Sequence, residues 1–263
     1  MKNMTNSPTA LPAATILLVR DGADGLEVFM VKRHHQIDFI SGALVFPGGK
    51  VDSGDSVEGI EEFLDGIDGL GAAACALAVA AVREAFEESG ILLARDATTR
   101  AFVDATRLEE LSAYRAALEK REVPLVEVLR RERLRLALDQ LVPFAHWITP
   151  EHMHKRFDTH FFIAPSPVGH AGRHDGRESV DSLWVTPKAA LADRERWTII
   201  FPTKLNLMKL GGSTSVADAL AHARSNPPVT VMPVVEDTPN GKRLRIRADA
   251  GYTQTTAKFI EGN

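Results

Sequence analysis

Three glutamates with helical spacing carry the clearest chemical signal in the chain. Glu84, Glu87 and Glu88 stand at i, i+3 and i+4, so a helix places their carboxylates within an arc of about 100°. Like charges at this spacing destabilise a helix by about 0.2–0.5 kcal/mol per pair. A divalent cation would remove the repulsion, and clustered carboxylate oxygens suit Mg²⁺ or Mn²⁺. Taken alone, the three residues fit a solvated acidic helix face better than a metal site.

A strand, a glycine turn and a helix would bring these glutamates to one site. The apolar residues 43–45 are followed by Phe46-Pro47-Gly48-Gly49, where paired glycines allow a tight turn and the close approach of a ligand. The alanine-rich segment 72–89 has strong helix propensity, and Gly90 stands where a helix commonly ends.

Together, the turn and the helix resemble the signature of the Nudix hydrolases, G-x5-E-x7-R-E-U-x-E-E-x-G-U, in which U is a bulky aliphatic residue. Gly49 matches the first glycine and Asp55 replaces the first glutamate. The remaining matches are Arg83, Glu84, Glu87, Glu88, Gly90 and Ile91, with Ala85 smaller than the usual aliphatic residue. Between Asp55 and Arg83 lie 27 residues where the signature has seven, so an insertion of 20 residues interrupts the box.

A similar interruption is known in the Nudix branch that includes peroxisomal coenzyme A diphosphatases. Trp147-Ile148-Thr149-Pro150 and the segment 156–162 also resemble that branch. The resemblance implies an α/β fold, a Nudix α/β/α sandwich around a mixed sheet with a helical insertion. The predicted organisation is a disordered N-terminus at 1–12, a Nudix domain at 13–250 with an inserted acidic loop at 53–71 and a helical insertion at 107–141, and a C-terminal tail at 251–263.

Local patterns predict the other elements of this domain. Branched aliphatic residues at 14–20 and 26–33 flank a loop with two glycines, which favours a β-hairpin. The glycine-rich acidic segment 53–71 is predicted to be a mobile lid or a short helix. Helices are predicted at 107–121, 124–141, from Pro187, at 203–210 and at 215–224, and strands at 142–148, 159–164, 182–185, 229–235 and 243–247.

Hydrolysis of a diphosphate linkage explains why such a site would need metal. The anionic oxygens repel a nucleophile, and divalent cations neutralise that charge and activate water. The resemblance implies that Glu87 and Glu88 bind Mg²⁺ or Mn²⁺, that Glu84 is a ligand or base, and that the Gly49 carbonyl adds an oxygen. Arg83 lies outside the carboxylate arc, so we expect it to orient a glutamate.

Candidate residues outside the box lie at or next to the ends of two predicted strands. Glu178 precedes a strand that ends at Trp184-Val185, where many family members carry a glutamate, and is a candidate general base; an ordinary loop acid is the alternative. Lys32 and Arg33, followed by His34 and His35, end the second strand. They either contact substrate phosphates or form a solvated basic strand end.

The branch-like segments supply further candidates. Arg156 is a candidate substrate contact, although pairing with Asp158 is the favoured interpretation. Trp147, Phe157 and Phe201 either stack on a base or, more commonly for aromatic residues in such runs, belong to the core.

The branch suggests coenzyme A or its thioesters as substrate. Gly42 to Gly49 fits G-x3-F-P-G-G, a motif of many coenzyme A-cleaving members, but Asp38 stands where those members have an arginine. ADP-ribose, NADH and dinucleotides therefore remain open. A catalytically silent, nucleotide-sensing Nudix domain is the second hypothesis, although such domains commonly lose the box glutamates that this chain retains. A purely structural interaction protein is the third.

Composition indicates a protein of the cytoplasm. The 263 residues include 44% apolar and 25% charged residues, with a formal charge of −4 that gives no general attraction to nucleic acid. A single cysteine permits no intrachain disulfide, which favours a reducing compartment. A signal peptide and a membrane-spanning run are not recognisable. We expect a small-molecule nucleotide as partner, no nucleic acid and no membrane, with a homodimer left open.

Overall fold

A mixed β-sheet forms the centre of the fold in the computed structural model, which describes residues 8–34, 42–193, 195–239 and 241–259. The strands are β1 (Leu11–Gly22), β2 (Gly25–Arg33), β3 (Leu44–Val45), β4 (Gly48–Lys50), β5 (Leu64–Asp65), β6 (Ala94–Asp96), β7 (Leu134–Ala137), β8 (Val142–Ile148), β9 (Phe157–Pro165), β10 (Ser179–Val185), β11 (Thr230–Val231), β12 (Val234–Thr238), β13 (Gly241–Arg245) and β14 (Thr256–Lys258). The helices are α1 (Ala72–Ser89), α2 (Ala105–Leu111), α3 (Tyr114–Glu119), α4 (Leu125–Glu132), α5 (Pro187–Ala192), α6 (Phe201–Leu210) and α7 (Val216–Ser225).

The main sheet has the strand order β10-β2-β1-β9-β8-β11, with β3 paired to β2 and β4 paired to β1. The predicted hairpin is β1 and β2, which pair antiparallel across the turn between Gly22 and Gly25. Because β1 is long, β4 pairs with its first half and β9 runs parallel along it on the other side. The glycine turn of β4 is thus held beside the strand on which the rest of the sheet is built.

Two hydrophobic cores lie on the two faces of this sheet. Ile16 and Leu18 of β1 belong to the core that includes Val79, Val82 and Phe86 of α1. Their neighbour Leu17 belongs to the other core, which includes residues of α6 and α7. Successive side chains of a strand point to opposite faces, so this alternation produces the α/β/α layers, and the α/β fold class is confirmed.

The two predicted insertions join in one substructure. The inserted segment 53–71 contains two short 3-10 helices, Ser53–Ser56 and Ile60–Phe63, followed by β5. Strand β7 from the second insertion pairs with β5 and β6 in a separate three-stranded sheet. The side chain of Asp65 on β5, only 8% exposed, forms ion pairs with Arg95, Arg100 and Arg135. This anchoring differs from the mobile lid predicted for the segment.

The helical insertion is shorter and more broken than predicted. The predicted helix 107–121 is split into α2 and α3. The predicted helix 124–141 is wrong after Glu132, because Arg133 adopts φ 55° and ends α4, after which the chain enters β7. A left-handed residue at this position terminates a helix, and the segment that follows pairs with strands distant in sequence.

The ends of the domain extend past the predicted boundaries. Strand β1 begins at Leu11 and pairs with Phe157, whereas residues 1–7 lie outside the described part. At the other end, β14 pairs with β13, and the Tyr252 hydroxyl donates to Asn206 at 2.7 Å. Residues 251–259 therefore pack onto the domain, which makes the predicted boundary at 250 too early. Of the helices in the described ranges, none is both long and apolar enough to cross a membrane.

Candidate active site

The glycine turn and helix α1 meet through Glu88 and Glu84. The Gly48 amide of β4 donates to a carboxylate oxygen of Glu88 at 3.0 Å. A Cβ atom at Gly49 would collide with the Glu84 carboxylate, so a glycine is required there for this close approach. Helix α1 ends at Gly90, whose φ of 68° closes the last turn. The sequence motifs at 46–49 and 83–91 thus form one site.

Arg83 lies at the centre of the carboxylates and binds three of them. Its Nε and Nη2 atoms donate to the two carboxylate oxygens of Asp55 at 2.7 and 2.9 Å. Its Nη1 atom donates to Glu84 at 2.8 Å and to Glu87 at 3.1 Å. The Asp55 side chain is fully buried and also accepts from the Asp52 amide at 2.7 Å. Arg83 therefore fixes two box glutamates and joins the two halves of the interrupted box.

Burial disfavours the ionised form of the three glutamates and so raises their pKa values. It raises the pKa of Glu87 to about 8, where Arg83 opposes the shift and the charge of Glu84 adds to it. Burial likewise raises the pKa of Glu84 and, further, that of Glu88. Within the described residues, the Oε1 atom of Glu87 is buried and has no hydrogen-bond partner. The site therefore holds more negative charge than its own arginines neutralise.

Glu178 and Arg33 lie beside the same carboxylates. The charge of Glu178 adds to the effect of burial in raising the pKa of Glu84 and of Glu88. The charge of Arg33 opposes the rise at Glu88, whose pKa stays well above its ordinary value. The Arg33 Nε atom is buried without a hydrogen-bond partner among the described residues. Both side chains face a cavity that Glu84 and Glu87 also line.

This cavity has a volume of about 1250 Å³. Typical sites for small ligands measure about 300–1,000 Å³, so the cavity is large for a simple nucleotide. Aromatic residues Trp147, Phe157 and Phe201 line it, although Trp147 is also 4% exposed and belongs to a hydrophobic core. Its indole N–H donates to Tyr252 at 2.9 Å, so its edge is already held by the protein.

Two candidate substrate contacts lie elsewhere. Lys32 is not among the residues that line the cavity; its amine lies 5.7 Å from the centre of the Trp197 ring. Lys32 and Arg33 are consecutive in β2 and so point to opposite faces of the sheet. Lys32, predicted either to contact substrate phosphates or to belong to a solvated basic strand end, thus points away from the cavity that Arg33 lines. The backbone N–H of His34 donates to the carbonyl oxygen of Glu178 at 2.8 Å, and His35 and Asp38 lie outside the described residues.

Arg156 serves as a structural anchor instead of a substrate contact. Its guanidinium donates to the carbonyl oxygens of Thr149, at 3.1 Å, and Pro8, at 2.8 Å, and it does not line the cavity. The favoured pairing with Asp158 is also wrong, because the Asp158 carboxylate bonds His146 at 2.5 Å. Strand β8 supplies this histidine across the sheet, a partner that the local sequence does not reveal.

The sequence analysis missed the basic residues that line the far part of the cavity. These are Lys155, Lys204 and Lys258, contributed by a loop, by α6 and by β14. Lys204 donates to Gln254 at 2.9 Å. No local motif marks such residues, since they are brought together only by the packing of the C-terminal strands. The Gly48 amide was also missed, although the Pro-Gly-Gly turn predicts the close approach that it makes.

Comparison with known proteins agrees with this geometry. The family model described as the NUDT19 Nudix domain matches residues 71–207, a region that includes α1 and its glutamates. A crystal structure of a Nudix hydrolase from Alicyclobacillus acidocaldarius superposes with a TM-score of 0.68 at 28% identity, covering 81% of this chain and 96% of that one. The chain therefore belongs to the Nudix hydrolase family, within the group defined by the NUDT19 Nudix domain.

A curated relative carries a more particular name. The acyl-coenzyme A diphosphatase NUDT19 of Xenopus laevis is 28% identical over 215 residues, which cover 67% of this chain and 57% of the relative. The match thus spans little more than half of that protein. The predicted resemblance to the Nudix family and to its coenzyme A diphosphatase branch is confirmed.

Proposed function

We propose that this protein hydrolyses the diphosphate linkage of coenzyme A or of an acyl-coenzyme A, with Mg²⁺ or Mn²⁺ bound by Glu84, Glu87 and Glu88. The observation that carries the proposal is the cluster of three glutamates on α1, of which Glu87 and Glu88 are buried and Glu84 and Glu87 line the 1250 Å³ cavity. The diphosphate of a substrate would lie at the glutamates, and the large cavity would receive the rest of the molecule. The name of the Xenopus laevis relative supports the same substrate class.

The residues of the site fit a divalent cation. Glu87 presents a buried oxygen without a partner, and burial opposes the ionised state of all three glutamates. Hard carboxylate oxygens are the ligands that Mg²⁺ and Mn²⁺ prefer, and the Gly49 carbonyl is the proposed additional oxygen. When bound, the cation supplies charge neutralisation at the phosphates and lowers the pKa of an attacking water.

Side chains and a backbone amide of the protein would orient the glutamates, bind the phosphate and accept the proton. Arg83 and the Gly48 amide hold the box glutamates in fixed rotamers, so no reorganisation is needed when substrate binds. Arg33, with its unpartnered Nε atom at the cavity, would donate to a phosphate oxygen. Glu178 lies beside the glutamates without being part of α1, and we assign to it the removal of a proton from the attacking water.

A substrate panel tests the proposal. With Mg²⁺ or Mn²⁺, coenzyme A should yield phosphopantetheine and adenosine 3′,5′-bisphosphate with a higher kcat/KM than ADP-ribose, NADH or a dinucleoside polyphosphate. Products are resolved by anion-exchange chromatography. The doubly substituted Glu87→Gln, Glu88→Gln protein is the control for contaminating hydrolases. A preference for ADP-ribose would overturn the substrate assignment, and no turnover of any compound would overturn the assignment as an enzyme.

We also predict that the protein loses thermal stability as the pH rises and that cation binding reduces this loss. The pKa of Glu87 is about 8 in the folded protein against 4.5 ordinarily, so the folded state holds its proton more tightly. The stability contributed by that proton is complete below about pH 4.5 and is lost as the pH rises through 8. In EDTA, Tm should fall between pH 6 and pH 9; with 10 mM Mg²⁺ or Mn²⁺ the fall should be smaller. Scanning fluorimetry measures both slopes, and equal slopes would contradict the prediction.

A further inference from the structure

A second cluster of metal-ligating side chains lies on strands β8 and β9. The Nε2 atom of His146 lies 2.5 Å from Oδ1 of Asp158, and the Nε2 atom of His160 lies 3.8 Å from the same oxygen. One ligand atom from each residue falls within 4.8 Å of the other two. The two imidazole rings are stacked, with centroids 4.0 Å apart and planes inclined by 22°. All three side chains are partly exposed, so an ion can reach them.

The register of the sheet places this cluster two strands away from the glycine turn of the box. His146 pairs with His160, His160 with Ala14, and Ala14 with Gly49, so the four residues form one row across the sheet. Strands are spaced about 4.8 Å apart, which puts the Cα atom of His160 about 10 Å from that of Gly49. The alternate residues Trp147 and Thr159 line the large cavity, whereas the cluster shares the sheet face of Ala14 and Ala164, which pack in the core with α1, two strands away from Gly49.

The chemistry of the cluster differs from that of the glutamates. Two imidazole nitrogens and one carboxylate oxygen suit borderline transition metals such as Zn²⁺ and Co²⁺ better than Mg²⁺. Ligating histidines usually donate their other ring N–H to a neighbouring oxygen, which fixes the tautomer. Thr230 offers such an oxygen to His146, since its hydroxyl lies 2.8 Å from Nδ1 while Nε2 points into the cluster.

We propose that His146, Asp158 and His160 form a binding site for a divalent transition-metal ion, separate from the Nudix box. Ligand atoms about 2.1 Å from a tetrahedral ion lie about 3.4 Å apart, so the His146–Asp158 pair opens by about 1 Å when the ion enters. The His160 nitrogen, at 3.8 Å from Asp158, already stands near that spacing. The ion replaces the His146–Asp158 hydrogen bond and links β8 to β9, next to the β11 residue Thr230, which holds the second nitrogen of His146.

Metal titration tests the site in a background from which two of the three competing glutamates have been removed. All proteins carry Glu87→Gln and Glu88→Gln, and Co²⁺ absorption together with Zn²⁺ calorimetry reports nitrogen ligation and stoichiometry. We expect one ion per chain, bound at least tenfold more weakly after His160→Ala or Asp158→Asn. Asp158→Asn keeps an oxygen that accepts a hydrogen bond from His146, so it tests ligation even if His160→Ala fails to fold. His222→Ala, at an exposed position of α7, is the matched control and should bind as the parent does.

The outcomes separate a metal site from a hydrogen-bonded pair. Loss of the Co²⁺ absorption bands in the Asp158 and His160 variants, with the His222 variant unchanged, supports the site. Equal Zn²⁺ affinity in the parent and in the folded Asp158→Asn protein would overturn it. So would the absence of any Co²⁺ bands in the parent, which would leave the cluster as a hydrogen-bonded pair that stabilises the strands.

Discussion

Replacing Glu87 or Glu88 by Gln should lower kcat by at least about 100-fold while the protein stays folded. Outer-sphere partners of metal ligands already account for about 10- to 100-fold effects, and a direct ligand should exceed them. Gln keeps the size of the side chain and, at position 88, an oxygen that can accept from Gly48. The loss should therefore reflect the missing charge, and steady-state kinetics at saturating Mn²⁺ measures it.

The same substitutions should raise Tm in buffer that contains EDTA. The two carboxylates are buried, and burial disfavours their ionised form. At neutral pH each carboxylate must therefore either take up a proton on folding or stay ionised in an unfavourable environment, a cost that a neutral amide does not have. Glu127→Gln, at an exposed position of α4, is the control and should change neither kcat nor Tm measurably. Full activity in either site variant would contradict the metal assignment, and a lower Tm in EDTA would contradict the electrostatic argument.

Local sequence predicted the element that carries the chemistry. The bounds of α1 agree with the predicted 72–89, since alanine propensity and the Gly90 cap act within a few residues. The join between Gly49 and α1 followed from the resemblance, because the intervening insertion hides it from any local pattern. The position of the insertion in the fold was not predictable from local sequence. Its strand β5 pairs with β7, which lies about 70 residues further along the chain.

Three predictions failed for different physical reasons. The helix predicted over β7 was wrong because good helix formers precede this segment. A strand forms there because β7 pairs with β5 and β6, which is an effect of tertiary structure. The placement of Lys32 with Arg33 could have been avoided from sequence alone, since consecutive residues of a strand point to opposite faces. Arg156 was misassigned because its partners, Thr149 and Pro8, are backbone carbonyls, which no side-chain pattern reveals.

Arg83→Met should destabilise the protein by about 3–5 kcal/mol, the cost of leaving a buried ion-pair partner uncompensated. Asp55 has a fully buried side chain and would lose its bidentate partner, while Glu84 and Glu87 would lose their shared cation. At about 2–4 °C per kcal/mol for a chain of this size, Tm should fall by roughly 6–20 °C. Thermal and urea unfolding, both at fixed pH and in EDTA, measure the change.

A double-mutant cycle identifies Asp55 as the origin of that cost. Adding Asp55→Asn to Arg83→Met removes the buried charge that was left alone, so the double variant should be more stable than the sum of the single effects predicts. Recovery should be incomplete, because Glu84 and Glu87 still lack their cation. Arg107→Met, which breaks the pairs of Arg107 with Glu110 and Glu132 nearer the surface, should cost only about 1 kcal/mol. If Arg83→Met and Arg107→Met unfold at similar temperatures, the buried arginine does not hold the two halves of the Nudix box together.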